Sequence, residues 1–130
     1  MRKIVIALLA VTALSGCQES MEERCAREAR DYTQKNCPAE VTDGVTIDSL
    51  TFSKTTHTLT YYYTLEGLID DAEQLKKHDL KGALLKELRN SATMKSYKEA
   101  GYNFRYVYYS TKKNGAKLFE ATFREKDYSK

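Results

Sequence analysis

The chain has 130 residues, of which 21 are basic and 18 are acidic, so its formal net charge at pH 7 is +3. This length suits one domain with a single hydrophobic core and leaves no room for two. Removal of the export signal described next takes away Arg2 and Lys3, which leaves 19 basic residues against 18 acidic ones, a net charge of +1. Because this charge is small and no basic stripe alternates with aromatic residues, no nucleic-acid partner is expected.

The N-terminus has the pattern of an export signal. Arg2 and Lys3 precede an apolar run, Ile4 to Leu14, which is too short to span a bilayer as a helix. The run leads into Leu14-Ser15-Gly16-Cys17, a sequence that resembles the lipobox of bacterial lipoproteins. In a lipobox the cysteine is acylated and becomes the first residue of the mature chain. Cys17 is therefore the predicted lipid anchor.

The same signal predicts how the chain is divided and where it is located. Residues 1–16 form the predicted signal peptide, 17–22 a lipidated tether, and 23–130 a single α+β domain. The several acyl chains typical of this class hold a protein stably on a membrane. We expect a membrane-anchored lipoprotein of the cell envelope, in the outer rather than the inner membrane, that faces the periplasm or the cell surface.

The two remaining cysteines, Cys25 and Cys37, are candidates for a disulfide because export places them in an oxidising compartment. Met21, Cys25, Ala29 and Tyr32 recur at helical spacing, so Cys25 is predicted to lie on a helix. A bridge requires this helix to end near Tyr32, so that the chain can return Cys37 to within bonding distance. The alternative is that both cysteines are small buried apolar residues.

The centre of the chain predicts a β-hairpin followed by a helix. Val45–Lys54 and Thr58–Leu65 are the predicted strands, and the first contains a bulge near Asp48-Ser49, where its apolar positions change face. Asp70-Asp71 supplies caps for the helix, and Gly101 ends a further helical turn. The apolar residues that recur at helical intervals are Leu75, Leu80, Ala83, Leu84, Leu88, Met94 and Tyr97.

A second hairpin is predicted near the C-terminus, because Asn114-Gly115 is a strong signal for a two-residue turn. The core-facing pairs in that register are Tyr106 with Phe123, Tyr108 with Ala121, and Ser110 with Phe119. The element order is then α-β-β-α-β-β. We expect an α+β fold, in which a four-stranded antiparallel sheet carries its helices on one face.

Several short motifs in the domain follow one pattern. Its residues are Asn36-Cys37-Pro38, Val41, Asp43, Thr46, Asp48-Ser49, Leu59 to Leu65, Gly101 to Tyr108 and Gly115. They resemble a family of small exported bacterial lipoproteins of unknown function, in which Asn-x-x-Pro, Asp-x-x-Thr-x-Leu-Asp and Tyr-x-Tyr-Thr patterns recur. This chain has Ile47 where that pattern has Leu. The resemblance runs from about Arg24 to Asp127 and implies a fold, but it transfers no catalytic residue.

The residues that carry catalytic chemistry are few. His57 and His78 are the two histidines of the chain, and their spacing does not place them on one face of one helix. After the anchor and the candidate disulfide no cysteine remains as a nucleophile, and no phosphate-binding glycine loop or hydrolase motif is present. The sequence therefore predicts no metal site, no cofactor and no enzymatic activity.

The open face of the predicted sheet is a candidate binding surface. Tyr62, Val107, Tyr109 and Leu118 are assigned to this half-apolar face, which another envelope protein or a peptide could cover. The alternative is an ordinary solvent-facing side of a sheet. Two other functions remain open: an inhibitor of a hydrolase or an envelope-stress protein, which would act through the loop Lys112 to Gly115, and a small enzyme.

Overall fold

The computed structural model describes residues 18–130, so the predicted signal peptide and Cys17 lie outside the described residues. The helices are α1 (Met21–Asn36), α2 (Ala72–Lys77), α3 (Leu80–Asn90), α4 (Lys95–Glu99) and α5 (Glu125–Tyr128). The strands are β1 (Ala39–Thr42), β2 (Val45–Ser53), β3 (Thr58–Leu65), β4 (Asn103–Ser110) and β5 (Lys117–Phe123). A turn of 3-10 helix, Gly67–Ile69, follows β3.

The strands form one five-stranded sheet in the order β1-β2-β3-β4-β5. The α+β class is confirmed, but the prediction of four strands that are all antiparallel is wrong. Strand β1 was missed because all four of its residues are exposed, so it has no alternation of apolar and polar positions. Strands β3 and β4 run parallel to each other, whereas the other neighbours are antiparallel.

The parallel pair β3–β4 forms the centre of the sheet. Tyr61 lies beside Tyr106 and Tyr63 beside Tyr108. Their rings stack with centroids 4.8 Å and 4.5 Å apart, respectively. Parallel neighbours require a long crossover, and the segment 66–102 provides it. Helices α2, α3 and α4 lie in this crossover.

Helix α1 packs against the same face of the sheet. It begins with a capping box, in which the Ser20 side chain accepts from the backbone of Glu23 and the Glu23 side chain accepts from the backbone of Ser20. The buried side of α1 contributes Cys25 and Ala29 to the core. The core also contains the fully buried Phe104, Phe123, Leu59 and Leu65.

The predicted bulge in β2 is confirmed, since pairing with β3 shifts between Ile47 and Ser49. Asp48 is left out of the ladder there, and its carboxylate accepts a hydrogen bond from the hydroxyl of Thr64 on β3. Strand β3 has the bounds that the sequence predicts. Leu59 and Leu65 of β3 are buried in the core, as their positions in the alternation predict.

The predicted register of the second hairpin is wrong by two residues. Tyr106 lies opposite Ala121, and Tyr108 opposite Phe119. The loop is longer than a two-residue turn because Asp70 organises it: one carboxylate oxygen accepts from the backbone N–H groups of Thr111, at 3.0 Å, and Lys112, at 2.8 Å. Asp70 is therefore a loop clamp, while Asp71 alone caps α2. A shift of two residues leaves the side chains of β4 on their predicted faces.

Of the two alternatives for Cys25 and Cys37, the candidate disulfide is not formed in this structure, where both cysteines are free. Helix α1 does not end near Tyr32 but continues to Asn36, and Cys37 is its C-cap. Twelve residues along a helix correspond to about 18 Å, far beyond the reach of a disulfide. The last turns of α1 are held to β2 by the Thr33 hydroxyl, which accepts from the backbone N–H of Leu50 at 2.9 Å.

Two tyrosines of β4 provide a stability test of the layer arrangement. Tyr106 is 6% exposed against the helices, whereas Tyr109 is half-buried on the other face. We expect Tyr106→Ala to lower the free energy of unfolding by about 3 kcal/mol or more, and Tyr109→Ala by about 1 kcal/mol. Urea denaturation followed by circular dichroism measures both. Equal losses would contradict a sheet that is covered by helices on one side only.

Candidate functional site

The open face of the sheet brings together only part of the predicted binding surface. The rings of Tyr62 and Tyr109 stack with centroids 6.5 Å apart, and both are half-buried. Val107, which the sequence places at the centre of an accessible patch, is fully buried with 0% exposure. It lies between Tyr62 on β3 and Glu120 on β5, so neighbouring side chains on the sheet cover it, although none of the helices within residues 18–130 packs on this face. Its predicted accessibility is wrong.

Leu118 does not contribute to the open face either. Pairing between β4 and β5 shifts next to Tyr108 and Tyr109, where Phe119 and Lys117 are paired and Leu118 is skipped. This bulge turns Leu118 towards the helix side, where it packs against the hydrophobic core. The assignment of Leu118 to the open face is therefore wrong, because strict alternation fails at a bulge.

Polar groups dominate what remains accessible on the open face. Glu120 forms ion pairs with Lys117, at 2.6 Å, and with Arg105. Hydrogen bonds from Lys117 and Arg105 lower the pKa of the Glu120 carboxyl. The nearby hollow on this face is lined mostly by hydroxyl-bearing and basic side chains. An apolar partner would have to desolvate these groups, which is costly.

The helix side of the sheet contains a groove of about 700 Å³. Helix α1 and strand β1 border it on one side, and helices α2 and α3 on the other, while β2, β3 and β4 form its floor. The apolar and aromatic residues that line it are Tyr32, Val41, Val45, Ile47, Tyr61, Tyr63, Leu65, Ile69, Leu75, Leu80, Ala83, Leu84 and Tyr108. A groove of this size and lining is typical of a binding site.

Two tyrosines of the central strand lie in the floor of this groove. Tyr61 and Tyr63 are only partly buried, although the covered face of a central strand is normally the most buried part of a sheet. Neither hydroxyl has a hydrogen-bond partner among residues 18–130. Burial raises the pKa of both phenols well above the ordinary value of 10.0. The groove therefore offers neutral hydroxyl groups as donors.

Acidic residues stand at the edge of the groove. Glu87 on α3 and Asp43 in the β1–β2 turn both line it. Neither carboxylate forms an ion pair within the described part of the chain. Burial is the main cause of the raised pKa of Tyr61, Tyr106 and Tyr108, and the negative charge of Glu87 is a smaller cause in each case. The charge of Glu87 therefore acts on the floor of the groove. The groove thus combines an apolar lining with negative charge.

Large apolar side chains are exposed around the same end of the domain. Tyr32 is 39% exposed, Val41 54% and Leu68 93%. Tyr32 and Val41 line the groove, and Leu68 lies next to the lining residue Ile69. Exposed apolar groups beside a groove are typical of a protein contact surface.

Sequence patterns gave only partial signals of this groove. Its floor was predicted to be core, because β-strand alternation places Tyr61 and Tyr63 on the helix face but does not reveal whether a helix covers them. His78 lines the groove, although the sequence placed it only on a polar helix segment. Leu68 follows Gly67, outside any amphipathic element, and could have been noticed as an isolated apolar residue in a turn.

The described part of the chain contains neither a metal-binding cluster nor a membrane-spanning helix. Within residues 18–130, no group of three or more His, Cys, Asp or Glu side chains is arranged to hold a metal ion. Among the same residues, no helix has both the length and the apolar character needed to cross a bilayer.

Comparison with known families identifies two parts of the chain. Residues 1–18 match the prokaryotic membrane lipoprotein lipid attachment site. Together with the α+β domain, this match defines a membrane-anchored lipoprotein of the cell envelope. Residues 20–119 match a family described as a domain of unknown function, DUF8479, and the chain belongs to this family. No curated protein matches the chain.

Three solved structures have a similar fold. A secreted protein from Pseudomonas aeruginosa is 9% identical with a TM-score of 0.65, over 85% of this chain and 98% of its own. The pilotin EpsS of the Vibrio vulnificus type 2 secretion system is 12% identical with a TM-score of 0.65, over 82% and 90%. The type II secretion pilotin AspS from Vibrio cholerae is 13% identical with a TM-score of 0.62, over 88% and 98%. At these identities the comparison shows the fold alone.

The groove tyrosines have a predictable response to pH. At neutral pH we expect Tyr63→Phe to change the free energy of unfolding by less than about 0.5 kcal/mol, because the lost hydroxyl has no partner in the described structure. The raised pKa means that the folded protein retains a proton which the unfolded chain loses above pH 10.0. Stability should therefore fall as the pH rises above this value, and less steeply in Tyr63→Phe. Parallel curves for the two proteins would contradict the assignment.

The lipid anchor is tested by Cys17→Ser. We expect this variant to leave the membrane fraction and to remain folded, because the anchor lies outside the domain and acylation requires the cysteine. Fractionation of cells and circular dichroism of the released protein measure the two effects. A variant that still partitions with membranes would contradict anchoring at Cys17.

Proposed function

We propose that this protein is a lipid-anchored binding module of the cell envelope, whose groove takes an apolar segment with a basic side chain from another envelope protein. The observation that carries this proposal is the floor of the groove. Tyr61 and Tyr63 remain partly accessible on the central strand because α1 and α3 stand apart above them. A guest segment could fill this gap and complete the helix layer.

The exposed groups at the groove favour a protein segment over a small molecule. A small ligand in the 700 Å³ groove would leave Leu68 uncovered, because this side chain is 93% exposed and does not line the groove. A polypeptide that continues beyond the groove would cover it as well. Peptide-binding grooves commonly combine apolar pockets with a few charged contacts in this manner.

The charge of the groove specifies the partner further. Glu87 and Asp43 line it without ion pairs in the described structure, and no lysine or arginine lines it. A lysine or arginine of the guest could pair with either carboxylate. Complementary charge contributes to specificity and to the rate of association more than to raw affinity. We therefore expect a segment that is apolar on one side and basic at its edge.

The comparisons support this proposal at the level of the fold. Two of the similar structures are pilotins of type 2 secretion systems. A lipoprotein that binds an envelope protein agrees with such a fold, and the outer membrane is the location that we propose. The partner itself is to be found by experiment.

Photo-cross-linking in cells tests the proposal. A benzophenone amino acid at position 83, where Ala83 lines the groove and is exposed, should cross-link one envelope protein. The matched control is position 86, where Lys86 is exposed on the same helix but does not line the groove. Cross-links from both positions alike, or from position 109 on the open sheet face instead, would contradict the groove as the binding site.

A charge reversal separates specific binding from adsorption. Glu87→Lys should weaken binding of the cross-linked segment at least about tenfold, equal to about 1.4 kcal/mol, whereas Lys86→Glu should not. A lysine-to-glutamate change in the bound segment should restore affinity for Glu87→Lys. Failure of every such reversal to restore binding would remove the proposed role of Glu87.

A second candidate function, inhibition of a hydrolase, is favoured by one observation. The exposed loop that contains Lys112 and Lys113 is ordered by hydrogen bonds from its backbone N–H groups to the carboxylate of the buried Asp70. A loop ordered before binding loses little entropy when it enters an enzyme cleft. Loss of inhibition in Lys113→Ala, with groove variants unaffected, would favour this function over the first.

A further inference from the structure

The ordered domain begins very close to the predicted acylation site. Ser20 is the N-cap of α1 and is fixed by both hydrogen bonds of the capping box. Glu19 also contacts this helix, because its carboxylate pairs with Arg27 of α1 at 2.6 Å. Gln18 is thus the one residue between Cys17 and an ordered backbone. Two residues of extended chain span at most about 7 Å.

This short connection determines which end of the domain lies near the lipid. The first turn of α1 contacts the β2–β3 loop, since His57 of the loop is 3.7 Å from the carboxylate of Glu22. Tyr102, which precedes β4, donates a hydrogen bond to the same carboxylate at 2.9 Å. Strands β2 and β3 run from this loop to the opposite end of the sheet. Eight residues of β3 span about 25 Å. The domain therefore has a lipid-proximal end and a distal end.

The β2–β3 loop, 54–57, has the chemistry of a surface that meets phospholipid headgroups. It consists of Lys54, Thr55, Thr56 and His57, all exposed, and it contains no carboxylate. A lysine and hydroxyl groups are suitable donors to phosphate oxygens. The acidic groups that face it come from α1, where Glu22 approaches His57 and Glu23 approaches Lys54.

The distal end carries the features on which binding depends. The β1–β2 turn, the 3-10 turn with Leu68, and the clamped β4–β5 loop all lie there, since Gly44 accepts a backbone hydrogen bond from Glu66 and Leu65 accepts one from Thr111. The exposed Val41 and Leu68 are therefore far from the anchor.

We infer that the anchor at Cys17 holds the domain upright, with the β2–β3 loop on the phospholipid headgroups and the apolar mouth of the groove turned about 25 Å away from them. The partner of the proposed binding site then approaches from the aqueous side and not from within the bilayer. This orientation rests on acylation of Cys17 and on the geometry of α1, and it holds even if the groove binds nothing.

Single-tryptophan variants measure this orientation, because the chain contains no tryptophan. The acylated mature protein is placed in vesicles of phosphatidylethanolamine and phosphatidylglycerol that contain a lipid with a nitroxide on its headgroup. Thr55→Trp, in the proximal loop, should lose most of its fluorescence. Lys113→Trp, in the distal loop and equally exposed, should keep nearly all of its fluorescence. Equal quenching, or stronger quenching of Lys113→Trp, would overturn the inference.

A lengthened tether provides the matched control. A flexible Gly-Ser segment inserted between Gln18 and Glu19 should reduce the difference between the two tryptophans, since the domain can then tumble above the membrane. An undiminished difference would show that the tether does not set the orientation and would also overturn the inference. If Thr55→Trp fails to fold, Lys54→Trp serves in its place. Since no partner is present, failure of the groove proposal leaves these results unchanged.

Discussion

The parallel pairing of β3 with β4 is the constraint on which the other features depend. Two antiparallel hairpins can lie side by side in several ways, but a parallel junction requires a long crossover between them. Here the crossover carries three helices onto one face of the sheet. Helix α1, which precedes the first hairpin, packs against β2 on that face. The two sets of helices do not meet over β3, and the gap between them is the groove.

Burial in this protein therefore does not follow from strand alternation alone. Tyr61 and Tyr63 share a face with core residues, yet they remain partly exposed because no helix lies above them. Val107 is on the uncovered face, yet it is fully buried because a central strand is shielded by its neighbours' side chains. Because of these two differences, the proposed contact surface is on the helix side of the sheet and not on the open face. They also place apolar groups together with two carboxylates that form no ion pair among residues 18–130.

The anchor and the groove are connected through α1. Its N-terminus is fixed three residues after Cys17 by a capping box and an ion pair, and its C-terminal half contributes Tyr32 to the groove wall. A helix of 16 residues is about 24 Å long, so in the proposed orientation it separates the membrane from the proposed binding surface. A long flexible tether would not fix such an orientation.

The sequence by itself determined those features that depend on local patterns. These are the export signal with its lipobox, the α+β class, the bounds of β3, the bulge at Asp48 and the faces of the β4 side chains. Tertiary structure decided what depends on distant partners. Asp70 accepts hydrogen bonds from the loop after Ser110, which is longer than the predicted turn. Thr33 contacts β2 in the last turns of α1, which continue beyond the point where a disulfide could form. The groove lies in the space between α1 and α3. Such contacts join residues that are far apart in the chain, and their energies therefore leave no periodic signal in the sequence.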